Sequence, residues 1–316
     1  MPEFPAPTTL AIPLFVICVL AEWIAVKTGR AHGHYETKDA ITSLSMGLGN
    51  VVVNTLTGMA ALWMMSLVWP YRIFEMPVTW WSFAALFVLY DLVYYWKHRL
   101  AHRMRWFWVE HITHHSSEHY NLTTALRQPW FGPFSGLIWF GLPLVWLGFH
   151  PLYVFFVGGT NLVYQFWIHT EVIGRFPRWF EAVMNTPSHH RVHHATNPRY
   201  LDRNYAGVFI IWDKMFGTFE PERDDEPCTY GIVKPVDSYN PFVVAYHGIA
   251  GLLVDCWRDG FRPLTWTRRA WNPPGWSPDG NHQRSEELRA EWEAGLATPV
   301  ELAEPSPLRT APAPAE

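Results

Sequence analysis

The stretch NTPSHHRVHHATN, Asn185 to Asn197, places four histidines within six residues. An imidazole is costly to bury and titrates near neutral pH, so four together need a reason beyond packing. Thr186 is a fair N-cap and Pro187 suits the first helical position, while Asn197 and Pro198 discourage continuation. These signals predict a helix of about ten residues, roughly 15 Å long. On that helix His190, His193 and His194 share one face, an arc of about 100°, and His189 lies about 100° outside it. His189 is therefore expected to support the site or touch substrate rather than join the same metals.

The spacing recurs. His98 and His102 stand four apart, His111, His114 and His115 repeat the i, i+3, i+4 pattern, and His169 at the end of an apolar run supplies a ninth imidazole. Imidazole is the commonest metal ligand, and many imidazoles with few carboxylates suit iron, copper or zinc better than magnesium or calcium. One such ion takes about four to six ligands, so nine convergent imidazoles imply two ions. His119 extends the second box by one turn without a counterpart elsewhere, and metal binding by His119 stays open. His32, His34, His150, His247 and His282 read as solvated or interfacial. Metal-bound imidazoles donate their other N–H to an acceptor, which nominates Glu118, Glu171, Asp202 and Asp213 as partners.

Of the 316 residues 49% are hydrophobic and 16% aromatic, and they are bunched. Segments 8–26, 44–69, 78–96, 129–149 and 152–168 each approach the roughly 20 residues that cross a hydrocarbon core. The expected fold is all-α: an integral membrane protein with about five transmembrane or re-entrant helices. Segments 129–149 and 152–168 form a hairpin, spanning or re-entrant, because a proline and several glycines interrupt it. Lysines and arginines gather after the first, third and fifth segments, which places the N-terminus outside and every histidine box at the cytoplasmic face. A cytoplasmic, histidine-rich helical cap would then hold the two metals. The run 205–219 would pack under this cap, and 241–257 would lie at the interface.

Residues 1–40 read as a retained N-terminal anchor helix and loop, since MPEFPAP carries no basic residue. Residues 41–272 read as the catalytic membrane domain, and 273–316 as a disordered Pro/Ala-rich tail. A net charge of -4 offers no argument for nucleic-acid binding. Cys18, Cys228 and Cys256 lie too far apart in sequence to suggest a cysteine metal site or a disulfide framework.

HRLAH (98–102), HITHH (111–115) and HHRVHH (189–194) resemble the histidine boxes of the fatty acid hydroxylase and sterol desaturase superfamily of membrane di-iron enzymes. Members of that superfamily insert oxygen into lipid carbon chains or dehydrogenate them. HHSSEHYNLTTALRQ (114–128), YQFWIHTEVIG (164–174) and NYAGVFIIWDKMFGTF (204–219) are most similar to its pterin-dependent, ether-lipid-cleaving branch. The similarity runs from about Asp39 to Pro273.

The resemblance implies that His98, His102, His111, His114, His115, His169, His190, His193 and His194 hold two irons. It implies catalytic roles for Glu171, Asn121 and Arg127, with His189, Gln128, Asn185 and Asn204 in support. It further implies O2, a membrane lipid substrate, tetrahydrobiopterin as reductant, and a bacterial inner membrane or endoplasmic reticulum location. With no flavin or haem module recognised, a separate electron donor is expected. Arg103 departs from the pattern, standing where an acidic residue is expected, a change that bears on pterin or lipid preference more than on metal binding.

The implied reaction is oxygen activation followed by hydroxylation of an unactivated C–H bond, a step that metals rather than side chains carry. Next to an ether oxygen the product is a hemiacetal, which collapses to a fatty aldehyde and a glycerol. A hydroxylase or desaturase of sterols, fatty acyl groups or aminolipids is the alternative. A non-catalytic membrane protein with structural zinc fits less well, because such sites are closed four-ligand arrangements. Oligomeric state is not legible.

Overall fold

Apolar length dominates the first elements. In the computed structural model, which describes residues 4–296, helix α1 (Pro7–Lys27) and helix α2 (Thr37–Val68) are predominantly apolar. Both are long and apolar enough to cross a membrane, and their side chains face outward: Leu56 is 75% and Met59 79% exposed. Water would penalise such a surface heavily, whereas a lipid bilayer solvates it. Among the described residues every regular element is helical, with isolated bridges in place of strands.

Helix α3 (Trp80–Arg103) starts at a reciprocal cap, in which the Ser82 amide donates to Thr79 Oγ1 at 3.3 Å and the Thr79 amide to Ser82 Oγ at 3.0 Å. Its 24 residues run about 36 Å, longer than the roughly 30 Å of a hydrocarbon core. The last turns carry His98 and His102. Met104 adopts an extended conformation that breaks the helix, and α4 (Arg105–His115) folds back against α3.

The segment 129–149 does not form one helix. It breaks into short helical pieces at Gly132–Ser135, Leu137–Gly141 and Leu142–Leu147, each adjoining the left-handed Gly136 or Gly148. Leu144 and Val145 are packed with Leu86, Tyr153 and Val157, so this irregular backbone is enclosed by protein. Helix α5 (Pro151–Trp167) follows.

The histidine-rich helix α6 runs Pro187–His194, eight residues rather than about ten. Thr186 stands at its N-cap in an extended conformation, but its hydroxyl bonds Glu181 at 3.0 Å instead of the helix amides. The expected interfacial segment is helix α7 (Pro241–Arg258), packed on α4 and α2, with Trp257 86% exposed. A Cβ on Gly248 would stand 2.6 Å from the Val109 carbonyl oxygen, so glycine permits this close crossing. Helix α8 (Pro263–Trp271) follows.

The tail reading needs correction over part of its length. Residues 273–296 are structured, and they include helix α9 (Ser285–Glu293). The Pro, Ala and Glu content hid its anchors: Leu288 is buried, and Trp292 lies under the Arg199 guanidinium at 4.7 Å. The remainder of the expected tail, 297–316, lies outside the described residues.

Asp91, fully buried in α3, binds the bundle to the loop beneath the histidines. It accepts from the Asn161 amide at 2.7 Å, the Val208 and Phe209 amides at 2.8 and 2.9 Å, and the Trp212 indole at 2.9 Å. Asp91→Ala leaves these buried donors unmatched, and thermal or denaturant unfolding in detergent should show a loss of at least about 3 kcal/mol. Trp63→Ala, on the outward face of α2, should cost far less.

Candidate metal centre

The elbow at Met104 lays the second histidine box against the first, and α6 closes over both. Two groups result. His98, His102, His111, His115 and His193 bring one nitrogen each within 4.8 Å of one another, and His114, His169, His190 and His194 do the same. Eight of the nine are buried and His111 is half-buried. The groups adjoin, with the His115 and His194 rings stacked at 4.3 Å.

Membership follows helical geometry rather than the boxes. The i, i+4 pairs His98/His102, His111/His115 and His190/His194 each serve one group, while His114 and His193 cross to the other. Residues four apart stack on one side of a helix, and an i+3 residue diverges enough to face a second centre.

Imidazole nitrogens face one another at distances that fit a shared cation. His98 and His115 Nε2 lie 2.8 and 3.1 Å from His111 Nε2, and His114 and His190 Nε2 lie 3.1 and 3.0 Å from His169 Nε2. Two nitrogens bound at about 2.1 Å to one ion at right angles stand about 3.0 Å apart. The buried Nε2 atoms of His102, His193 and His194 have no hydrogen-bond partner, a costly state that a metal ion removes. Burial pushes His98, His111, His115, His169, His190, His193 and His194 well below the ordinary histidine value and His114 down to about 4. Neutral imidazoles at physiological pH keep the lone pair that ligation needs. The donor set fits two borderline ions such as iron or zinc.

The opposite nitrogens are held mostly by backbone. Nδ1 of His98, His169 and His193 bonds the carbonyls of Tyr205, Gln165 and Arg203 at 2.7, 2.7 and 2.9 Å, and His114 Nδ1 meets the Arg127 carbonyl at 3.3 Å. Each contact fixes a tautomer and a ring angle. Of the nominated acids, Asp202 lies 3.3 Å from His102 Nδ1. Asp213 instead takes the Tyr205 and Ala206 amides, each at 2.8 Å, and so holds the loop. Glu118 lines a shallow cleft with Asp39, Arg127 and Tyr239.

Glu171 lines a larger cleft of about 520 Å³ with Arg191, Cys228 and Tyr230. Burial raises its carboxyl, opposed by a hydrogen bond from Tyr230. Tyr230 stacks on Tyr120 at 4.9 Å, and Tyr120 stands 5.2 Å from His194. The other expected residues occupy the scaffold. Arg127 is buried and bonds Asp39 and Ser116, each at 2.9 Å, while Asn121 donates to the His34 carbonyl at 3.0 Å. Gln128, Asn185 and Asn204 donate to the carbonyls of Ala125, Ala206 and His189 at 2.7, 2.7 and 3.0 Å. His189 lies outside both groups, 4.0 Å from Glu181, and the His119 ring packs at a tilt against His34, with centroids 4.7 Å apart.

Sequence reasoning passed over three contributors. Asp91 and Glu22 are acids inside apolar helices, a signal that marks function or anchoring. Glu22 accepts from the Leu122 amide at 2.8 Å and also binds Tyr35 and Thr170, which joins α1 to the loop beside His169. Tyr120 carried no comparable signal.

Residues 83–218, which hold every histidine of both groups, match the family model described as fatty acid hydroxylase. The chain is 37% identical over 290 residues to human alkylglycerol monooxygenase, covering 87% of this chain and 61% of the relative. It is 38% identical over 283 residues to alkylglycerol monooxygenase of Danio rerio, with 87% and 61% covered. Human lathosterol oxidase is 28% identical over 154 residues, 48% of this chain and 48% of that protein. The chain spans about three fifths of the length of the alkylglycerol monooxygenases it matches. No solved structure matches it.

Two outcomes follow from this geometry. His193→Ala and His194→Ala should each weaken a different group, so metal analysis should find about one of two ions lost in either variant, while His189→Ala retains both. The unfolded chain takes up protons on imidazole below about pH 6.5. Folded His114 resists protonation until about pH 4. The metal-free protein should therefore lose stability as pH falls through that window and stay constant above it, which melting curves across pH will show.

Proposed function

We propose that this protein is an O2-dependent, di-iron membrane monooxygenase that hydroxylates a lipid alkyl chain. Its most specific form is attack beside the ether oxygen of an alkylglycerol, giving a hemiacetal that collapses to a fatty aldehyde and a glycerol. The observation that carries this reading is the pair of adjoining all-histidine groups in a chain that also has two helices long and apolar enough to cross a membrane. Bound iron would supply oxygen activation and removal of hydrogen from an unactivated carbon, chemistry no side chain performs alone.

The chain's own residues bind and orient. Five histidines would hold one ion and four the other, with the backbone carbonyls fixing ring angles and the closed shell of α3, α4 and α6 excluding water. The cytoplasmic face is the side we assign to this cap, from the lysines and arginines at the helix ends.

The cleft beside Glu171 supports entry of a small polar reductant. Its arginines are already engaged, Arg191 with Glu222 at 2.7 and 2.8 Å and Arg175 with Asp224 at 2.9 Å, so an uncharged ligand suits it. Glu171 and Tyr230 remain to meet hydrogen-bond donors and a flat ring. Tetrahydrobiopterin, implied by the resemblance, has that character. A sterol or acyl-lipid hydroxylase is the second reading, favoured by Arg103 and by the similarity to lathosterol oxidase.

Purified, iron-loaded full chain given an alkylglycerol, O2 and reduced pterin should release fatty aldehyde. Hydroxylation of a sterol or acyl lipid without aldehyde from the ether would sink the ether-specific form. Glu171→Gln should raise the KM for the reductant about tenfold, the loss of one charge-assisted hydrogen bond, with iron content unchanged.

A further inference from the structure

The loop 199–205 decides how three of the five ligands in the larger histidine group are aimed. The Arg203 carbonyl takes His193 Nδ1, the Tyr205 carbonyl takes His98 Nδ1, and the Asp202 carboxylate meets His102 Nδ1. Those carbonyls point as they do because Asp202 and Asn204 both take left-handed backbone conformations, φ 56° and 54°. Aspartate and asparagine tolerate that region, yet two such residues in one turn persist only where surroundings hold them.

Asn204 is held by the His189 and Glu220 carbonyls and the Glu220 amide, and the surroundings of Asp202 are supplied by α9. Glu286 pairs with Arg103, whose guanidinium also reaches Asp202 at 3.1 Å, and Ser285 hydrogen-bonds the same carboxylate. Arg289 donates to the Leu201 carbonyl, Arg199 lies over Trp292, and Leu288 is buried between these contacts in sequence. Arg103 follows His102 directly, so the chain from α9 to a ligand ring is Glu286, Arg103, Asp202, His102.

We propose that helix α9 is a clamp on this loop, and that Arg103, Glu286 and Arg289 are positioning residues for the five-histidine metal position. Arg103 thereby has a use that an acidic residue at the same place would abolish, since it would face Asp202 and Glu286 with like charge. The inference rests on the reading that the five histidines hold a metal ion.

The full-length chain tests it through Glu286→Gln, Arg289→Ala and Leu288→Ala, with Glu293→Gln on the same helix as control. In metal-free protein, amide hydrogen exchange across 199–206 should quicken about tenfold in the three variants, and exchange across 168–171 beside the four-histidine group should not change. After a chelator challenge, iron should fall from two to about one per chain in these variants and stay at two in the control. Unchanged exchange across 199–206, or equal acceleration in both segments, would overturn the clamp. Faster exchange in 199–206 with both irons retained would overturn its role in metal binding. If the variants show the expected exchange pattern but wild-type chain takes up no iron, the metal reading fails and the clamp on the loop stands.

Discussion

Nine imidazoles can be buried side by side only if their ring nitrogens find acceptors or share a cation. This constraint orders the rest of the molecule. The held nitrogens require carbonyls and one carboxylate at fixed places, and all of these except the helical Gln165 carbonyl belong to loops. Asp91, Asp213 and Glu22 are buried acids whose bonds run to loop amides and side chains, so the apolar bundle positions the loops and the loops position the rings. A surface of such polarity could not persist in a dry interior without the paired donors and acceptors that these acids provide.

Helical periodicity exposes the ligand set but not its division. The i, i+3, i+4 spacing marks His111, His114 and His115 as one box, because sequence shows only that they share a face. The division between two groups depends on where α6 lies against α4, a tertiary relation that places His193 opposite His98 and His194 opposite His114. His189 was separable in advance because a rotation of about 100° per residue is a local property.

Elsewhere the local signals were overridden. The segment 129–149 has the length and apolarity of a span, yet Gly136 and Gly148 take left-handed conformations and break it into pieces that pack inside the bundle. The tail looked disordered because its composition averages over Pro, Ala and Glu, whereas a few residues, Leu288, Arg289 and Trp292, tie α9 to the loop under the histidines. Composition describes a segment's mean, and a clamp needs only its anchors. Arg103 was legible as a departure, but its partners lie about a hundred and more residues along the chain, at Asp202 and Glu286, and only the fold joins them.

The most direct test of the central claim is anomalous diffraction from crystals of the iron-loaded protein, collected at the iron edge. Two peaks are predicted, one bounded by His98, His102, His111, His115 and His193 and the other by His114, His169, His190 and His194. A single peak, or iron bound outside these nine side chains, would contradict the account.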